Sequence, residues 1–408
     1  MTPLPSILPT LQSLVCPYCY QSFTPRKMMW RCTGLLGPEG AKCPPERDRA
    51  LSRRFGMNEA LPPVFTGGRL SSLSGWQSAA RCPRCKDAST QRICPHCHSL
   101  LPVHFDKIDS RLIALIGAKG AGKTVYMTVL LHELMHSVGR RFDAAVVGSD
   151  DHTRSEFAKR YEETLYRQKV LPGTTRPGQA ELRRPLVFKV TLDGRGLLRS
   201  RDRHTITSFF DTAGEDLISK ESVDLNVRYL RGADGIILLL DPLQMRGARE
   251  SAKPGTRLPQ ADAKTDNPVN VLTRVTDVLY EAHGRGPNRR IDVPVAVAFS
   301  KIDTLWHGFA EGSPLLGEAP ADQPVFDQAD SLAVHDYVQA LLHEWDGTQI
   351  DQVMRKNFAD YRYFGLSSLG GNPTSDNRVD PRGIHPHRVA DPFLWLLSRF
   401  DALPSTKG

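Results

Sequence analysis

Apolar residues recur along this chain in several distinct rhythms. From Leu112 to Ile116 they form a short continuous run with the length of a buried strand. A glycine-rich turn follows, and then a segment rich in Val, Leu and Met that reads as a helix ending at Gly139. "TITSFF" (205–210), "GIILLLDP" (235–242) and "VPVAVAFSKID" (293–303) each contain a further strand. The last two are almost wholly apolar, as in strands covered on both faces. At 186–192 the rhythm changes to alternation, with Leu186, Phe188, Val190 and Leu192 on one face, which predicts an antiparallel strand. Phe157, Tyr161 and Leu165 recur at i, i+4 and i+8, so a helix is expected there. Amphipathic segments near 269–284, 331–345 and 388–402 predict helices that cover the sheet. "DPFLWLLSRF" in the last of these is too short to span a bilayer and reads as a core-facing helix. Strands interleaved with helices make this an α/β fold. Two stretches interrupt the pattern. Residues 244–268 are polar and aperiodic, predicting a flexible surface loop, whereas 305–330 contain Trp306, Phe309 and three prolines, predicting a packed one.

Composition adds a boundary. At 408 residues the chain is long for one domain, while 40% hydrophobic and 24% charged residues are ordinary for a soluble protein. No apolar run reaches the roughly 18 residues a membrane span needs. The opening "MTPLPSILPTLQSLV" lacks a basic start and is broken by three prolines, so a cytoplasmic location is the expectation. The net charge of +8 resides in residues 1–105, and the remainder is balanced. All eight cysteines lie in the same region: Cys16, Cys19, Cys32, Cys43, Cys82, Cys85, Cys94 and Cys97. Charge and cysteine usage therefore divide the chain into a small cysteine-rich unit, 1–105, and a larger unit, 106–408.

The cysteine spacing is that of metal ligands. Cys82-Pro-Arg-Cys85 and Cys94-Pro-His-Cys97 have zinc-ribbon spacing and are expected to share one tetrahedral ion. Cys16, Cys19, Cys32 and Cys43 are expected to hold a second zinc, although an arrangement that swaps knuckles between the sites also fits the sequence. His98 and His104 read as ordinary polar residues, since eight thiols already supply two sites. Two four-thiolate zinc sites would reduce the +8 to about +4. The basic residues, among them Arg47, Arg53 and Arg84, are scattered without interleaved aromatics, which favours a protein-docking face over nucleic-acid binding. Residues 46–80 read as a polar connector.

The larger unit carries nucleotide chemistry. Gly117-Ala-Lys119-Gly120-Ala121-Gly122-Lys123-Thr124, between a strand and a helix, is a complete G-x-x-x-x-G-K-T loop. Its glycines let successive N–H groups, up to that of Val125, wrap a β-phosphate at a helix N-terminus. Lys123 bridges the β- and γ-oxygens and the Thr124 hydroxyl ligates Mg²⁺. The strand ending at Phe210 delivers Asp211-Thr-Ala-Gly214-Glu215. Asp211 is placed to hold Mg²⁺ and the Gly214 N–H to meet the γ-phosphate. Glu215 either stands beside the attacking water or points to solvent. As an ionised acceptor it cannot donate to that water as a glutamine can, so slow intrinsic turnover is expected. "LPGTTRPGQAELRRP" is the expected switch I loop, in which Thr174 or Thr175 completes the Mg²⁺ shell and Arg176 is a candidate internal arginine finger. "HELMH" (132–136) matches a zinc-protease motif, but the P-loop context already accounts for that helix.

These motifs, with Ser300-Lys301-Ile302-Asp303 after a strand, occur in the order that Ras-like GTPases of the translation-factor class show. The resemblance covers about residues 108–402. It implies a mostly parallel six-stranded sheet flanked by helices, with Asp303 accepting from guanine N1–H and N2–H₂ and Lys301 stacking on the base. Ser300 stands where Asn is usual, and Ser367, Ser368 and Leu369 in "YRYFGLSSLGG" stand at the last guanine loop. Together with the cysteine-rich N-terminal region, the chain looks most like the bacterial double-GTPase families. That likeness implies GTP/GDP, Mg²⁺ and Zn²⁺ as ligands, and as partners an activating protein and a paralogous GTPase in a conflict or regulatory system. A GTP-binding switch that hydrolyses slowly is the leading reading. A non-hydrolysing GTP-binding scaffold is the alternative, and an ATPase a more distant third.

Overall fold

The computed structural model describes residues 13–67, 78–103, 105, 110–117, 120–173, 184–192, 203–209, 223–259, 267–283, 289–318, 323–374 and 376–406. The cysteine-rich region is built of very short strands. β1 (Leu14–Val15) pairs with β2 (Ser22–Phe23), and β3 (Met29–Arg31) lies between β6 (Val64–Thr66) and β9 (Arg92–Ile93). β4 (Glu46–Arg47) pairs with β5 (Ala60–Leu61), and β7 (Ala80–Arg81) with β8 (Ala88–Ser89). The expected connector is therefore partly structured. Its helix α1 (Arg49–Phe55) starts at Asp48, whose carboxylate accepts from the Ala50 and Leu51 N–H groups. Ladders this short cannot hold a fold by themselves. Instead, the cysteines supply much of the buried surface of this region.

The larger unit is layered. β10 (Ile113–Gly117), β14 (Gly235–Leu240), β15 (Val295–Phe299) and β16 (Tyr361–Gly365) form a parallel sheet in that order. Strand residues alternate between two cores. Ala114, Ile116, Ile236, Leu238, Val295 and Val297 face one, and Ile113, Leu115, Ile237, Leu239, Ala296 and Ala298 the other. The first core is closed by α7 (Pro268–His283), α8 (Gln328–Glu344) and α9 (Thr348–Asn357). The second is closed by α2 (Lys123–Met135) and α10 (Asp391–Arg399). α2 stops four residues before Gly139, and a short α3 (Ser137–Phe142) continues after a break at His136. β11 (Ala144–Gly148), β12 (Leu186–Leu192) and β13 (Arg203–Phe209) form a separate antiparallel sheet, in which 186–192 is the alternating strand expected. α4 (Asp151–Glu156) runs into a π-helical stretch, Phe157–Arg167, that buries the expected Phe157, Tyr161 and Leu165. α5 (Val223–Arg231) precedes β14, and α6 (Arg246–Glu250) follows it.

Among the described residues the parallel and antiparallel strands form two sheets, and the Tyr229 hydroxyl from α5 stands between β10 and β13. It accepts from the Leu115 N–H at 2.8 Å and donates to the Ser208 carbonyl at 3.2 Å, groups that would otherwise pair within a sheet. The stretch expected as a loose loop from 244 onward begins anchored. Leu243 and Ala248 are fully buried, and a Cβ on Gly247 would come within 2.4 Å of the Glu344 carbonyl.

Candidate nucleotide site and cysteine centres

The phosphate end of the candidate site grows from β10. Gly117 packs against β14 so closely that a Cβ there would lie 2.8 Å from the Leu239 carbonyl oxygen. Gly120 (φ +76) and Gly122 (φ +80) take left-handed conformations that favour glycine, and Gly122 leads into α2. Lys123 and Thr124 open the helix, Lys123 being nearly buried. The uncapped first turn of such a helix presents backbone N–H groups suited to an anion. Lys119, Thr174, Thr175, Arg176, Asp211, Gly214 and Glu215 lie outside the described residues, as does His104.

The base end lies at the tips of β15 and β16. Ser300, after β15, donates through its N–H (2.8 Å) and its hydroxyl (3.1 Å) to the Leu240 carbonyl, which braces the loop without the usual asparagine. Lys301 adopts φ +56, and its ammonium donates to the Gly120 carbonyl at 2.8 Å and pairs with Asp241 at 2.6 Å. Asp241 is 1% exposed, and its other oxygen accepts from the Leu243 N–H at 3.0 Å. Asp303 accepts from the Ser367 hydroxyl at 2.5 Å, and that oxygen in turn accepts from the Gly370 N–H at 2.9 Å. Burial pushes the Asp303 carboxyl above its ordinary range, while the Ser367 hydroxyl, Lys301 and His387 draw it back. Both ends open on one cavity of about 980 Å³, whose walls include Gly120, Ala121, Gly122 and Val125 from the P-loop side. Ser300, Lys301, Asp303, Ser367, Ser368 and Leu369 complete the wall from the base side. Backbone N–H groups at one end and an acceptor carboxylate at the other are the groups that a guanine nucleotide would need.

Asp241 belongs to none of the sequence motifs. Its signal was an acid closing the otherwise apolar run "GIILLLD", where an unpaired charge could not be buried. Leu171, Arg249, Arg257 and Asn377 also line the cavity and carried no motif.

The eight cysteines gather into two tetrads, and their pairing corrects the expected one. Cys16, Cys19, Cys94 and Cys97 form one group and Cys32, Cys43, Cys82 and Cys85 the other, with ligand atoms within 4.8 Å of one another in each. The two C-x-x-C knuckles at 82–85 and 94–97 thus belong to different sites. Each knuckle closes on its own strands: β7 pairs with β8 around the first, and Ile93 bridges Leu100 around the second. Partnering between knuckles then depends on the long-range pairing of β3 with β9, which local spacing does not encode. In all three knuckles the next residue, Tyr20, Lys86 or His98, is left-handed. None of the cysteines is disulfide-bonded. Sulfur pairs stand 3.8 and 3.8 Å apart in the first tetrad and 3.6 and 3.7 Å in the second. Tetrahedral thiolates about 2.3 Å from zinc stand about 3.8 Å apart, so both donor sets fit that ion. His98 pairs with Asp48 at 2.9 Å rather than joining a tetrad. His132 pairs with Glu162 and stacks on His136, and no metal-sized group forms around them among the described residues.

A strand–P-loop–helix unit beside a buried parallel sheet defines a P-loop nucleotide-binding protein. The family model described as Double-GTPase 2 matches residues 111–369, and the chain belongs to that family. The putative ESX-1 scaffolding and assembly protein SaeC of Mycolicibacterium smegmatis is 27% identical over 410 residues, covering 95% of this chain and 99% of the relative. Among solved structures, the GTPase-like domain of S. cerevisiae Ski7 bound to GDP and inorganic phosphate is 13% identical over 73% of this chain, with a TM-score of 0.30. The match spans 51% of that chain, about half its length. Aquifex aeolicus Era bound to GDP and AlF4− is 14% identical, covering 73% of this chain and 58% of that one, with a TM-score of 0.26. No helix among the described residues is long and apolar enough to cross a membrane.

Proposed function

We propose that this chain is a GTP-binding switch that hydrolyses GTP slowly by itself and is accelerated by a partner within a multi-protein assembly. The observation that carries this reading is the base end of the cavity, where Asp303 is ordered by Ser367 and Lys301 is held between Gly120 and Asp241. A carboxylate fixed in this way accepts from the two adjacent N–H groups of guanine, an edge that adenine lacks. Membership of a GTPase family supports the same reading. Thr124 and Asp211 would hold Mg²⁺, which neutralises charge on the phosphates when bound. Lys123 and the P-loop N–H groups would orient the triphosphate, and the Gly214 N–H would meet its terminal phosphate. An ionised Glu215 beside the attacking water would accept from it but could not donate to it, and would bring negative charge toward an anionic transition state.

In this reading the chain divides near residue 105 into a module with two structural zinc ions and a GTPase unit. The name of the relative, a scaffolding and assembly protein, also supports a second reading in which GTP binding only assembles a complex. Single-turnover hydrolysis separates the two. The switch reading predicts slow conversion of bound GTP to GDP, faster in Glu215→Gln. No loss of GTP over hours, with or without candidate partners, supports the scaffold instead. A clear fall in Glu215→Gln would make Glu215 a base.

A further inference from the structure

The knuckle Cys16-Pro17-Tyr18-Cys19-Tyr20 sits on the antiparallel sheet, and its two tyrosines reach different segments, the start of α4 with the entrance to β12, and β13. The Tyr18 hydroxyl donates to Asp150 Oδ2 at 2.5 Å. Arg184 pairs with the same oxygen at 2.8 Å, and its guanidinium lies 4.6 Å from the centre of the Tyr18 ring. Arg184 stands at the entrance to β12, directly after residues 174–183 with the switch I candidates Thr174 and Thr175. The Tyr20 hydroxyl lies 3.1 Å from Ser208 Oγ, which donates to the Pro17 carbonyl at 2.7 Å. Ser208 is the penultimate residue of β13, three positions before Asp211. The Tyr20 ring packs 4.8 Å from that of Tyr229, the residue that joins β13 to the P-loop strand. Tyr18 and Ser208 are fully buried, and Tyr20 and Asp150 nearly so. On the same surface, Val187 of β12 and Ile206 of β13 share a core with all four cysteines of the first tetrad.

We propose that this knuckle is a positioning element for the nucleotide reaction. Tyr18, through Asp150 and Arg184, and Tyr20, through Ser208, hold the two strand ends from which the γ-phosphate-sensing segments extend. Zinc at Cys16, Cys19, Cys94 and Cys97 keeps the turn that aims both tyrosines, so zinc binding and triphosphate binding are coupled. The inference rests on the GTPase reading above. Neither tyrosine touches the nucleotide cavity, so neither is catalytic. GDP, held by the P-loop and the base loop, depends little on these strands, whereas a triphosphate depends on both.

The test uses full-length, zinc-loaded protein carrying Tyr18→Phe or Tyr20→Phe, which remove one hydroxyl each and keep the rings. Affinities for GDP and for a non-hydrolysable GTP analogue are measured with Mg²⁺, together with zinc content and hydrogen exchange in 184–192 and 203–209. The expected result is an analogue affinity reduced about tenfold, with GDP affinity within about twofold of wild type. Zinc content stays unchanged, and exchange rises in both strands. Tyr363→Phe is the control. It removes another buried hydroxyl–carboxylate bond, to Asp351, and should lower stability without altering the ratio of the two affinities. Equal weakening of both nucleotides, or no change in either, overturns the proposal. A wild-type protein that binds no guanine nucleotide fails at the earlier step, since it removes the GTPase reading itself.

Discussion

In the proposed reading, base choice turns on Asp303. Its carboxylate must be ionised to accept from two N–H groups, yet burial holds its pKa above the ordinary range in the free protein. Guanine bound against it would favour the ionised form and lower that pKa again. Affinity is therefore full above the raised pKa and is lost as pH falls through it, because the proton then competes with the base. GDP titrations at descending pH should show this decline, and Asp303→Asn should remove that component of it. Asp303→Asn should also weaken GDP by about a hundredfold, the worth of two hydrogen bonds to a charged group at roughly 1.5 kcal/mol each. An asparagine offers a donor where aspartate only accepts, so xanthine, with an oxygen at C2, should bind this variant better than guanine does. Unchanged GDP affinity in Asp303→Asn would remove Asp303 from the base site. Asp241 acts one step further back, since its buried charge is compensated by Lys301. Asp241→Asn should loosen the lysine and weaken every nucleotide together.

At the scale of elements, what could be read from the sequence was what local chemistry decides. β10, β14 and β15 announce themselves as short apolar runs because both faces are covered, and the P-loop because its glycines, lysine and threonine are adjacent in the chain. The cysteine pairing was hidden because it depends on β3 meeting β9 across about sixty residues. The nested arrangement has a discriminating consequence. Cys82→Ser combined with Cys94→Ser disables both tetrads and should leave less than one zinc per chain, whereas a shared ribbon site would keep one. Metal analysis of that double variant, beside Cys16→Ser with Cys94→Ser, which should retain one zinc, decides between them. The Tyr229 wedge was equally invisible, since a helical tyrosine carries no sign of the strands it will join. Tyr229→Phe strands the Leu115 N–H and the Ser208 carbonyl without a partner and should cost about 1–3 kcal/mol in a denaturation experiment. A change below about 0.5 kcal/mol would show that the strands re-pair without it.

Over the whole molecule, the cysteine-rich region and the nucleotide-binding unit share buried surface rather than lying on a string. Tyr20 belongs to the same core as β10 and β14, and the first tetrad shares a core with β12 and β13. That contact joins a region carrying the entire net charge to one that is electrically balanced, so a partner drawn to the basic region would bind close to β12 and β13. The cavity is proposed to select guanine. Equilibrium titration of the zinc-loaded protein with GDP, GTP, ADP and ATP in Mg²⁺ tests it most directly. The guanine nucleotides should bind at least about a hundredfold tighter than the adenine ones, the worth of the proposed Asp303 contacts. Equal affinities, or a preference for ATP, would contradict it.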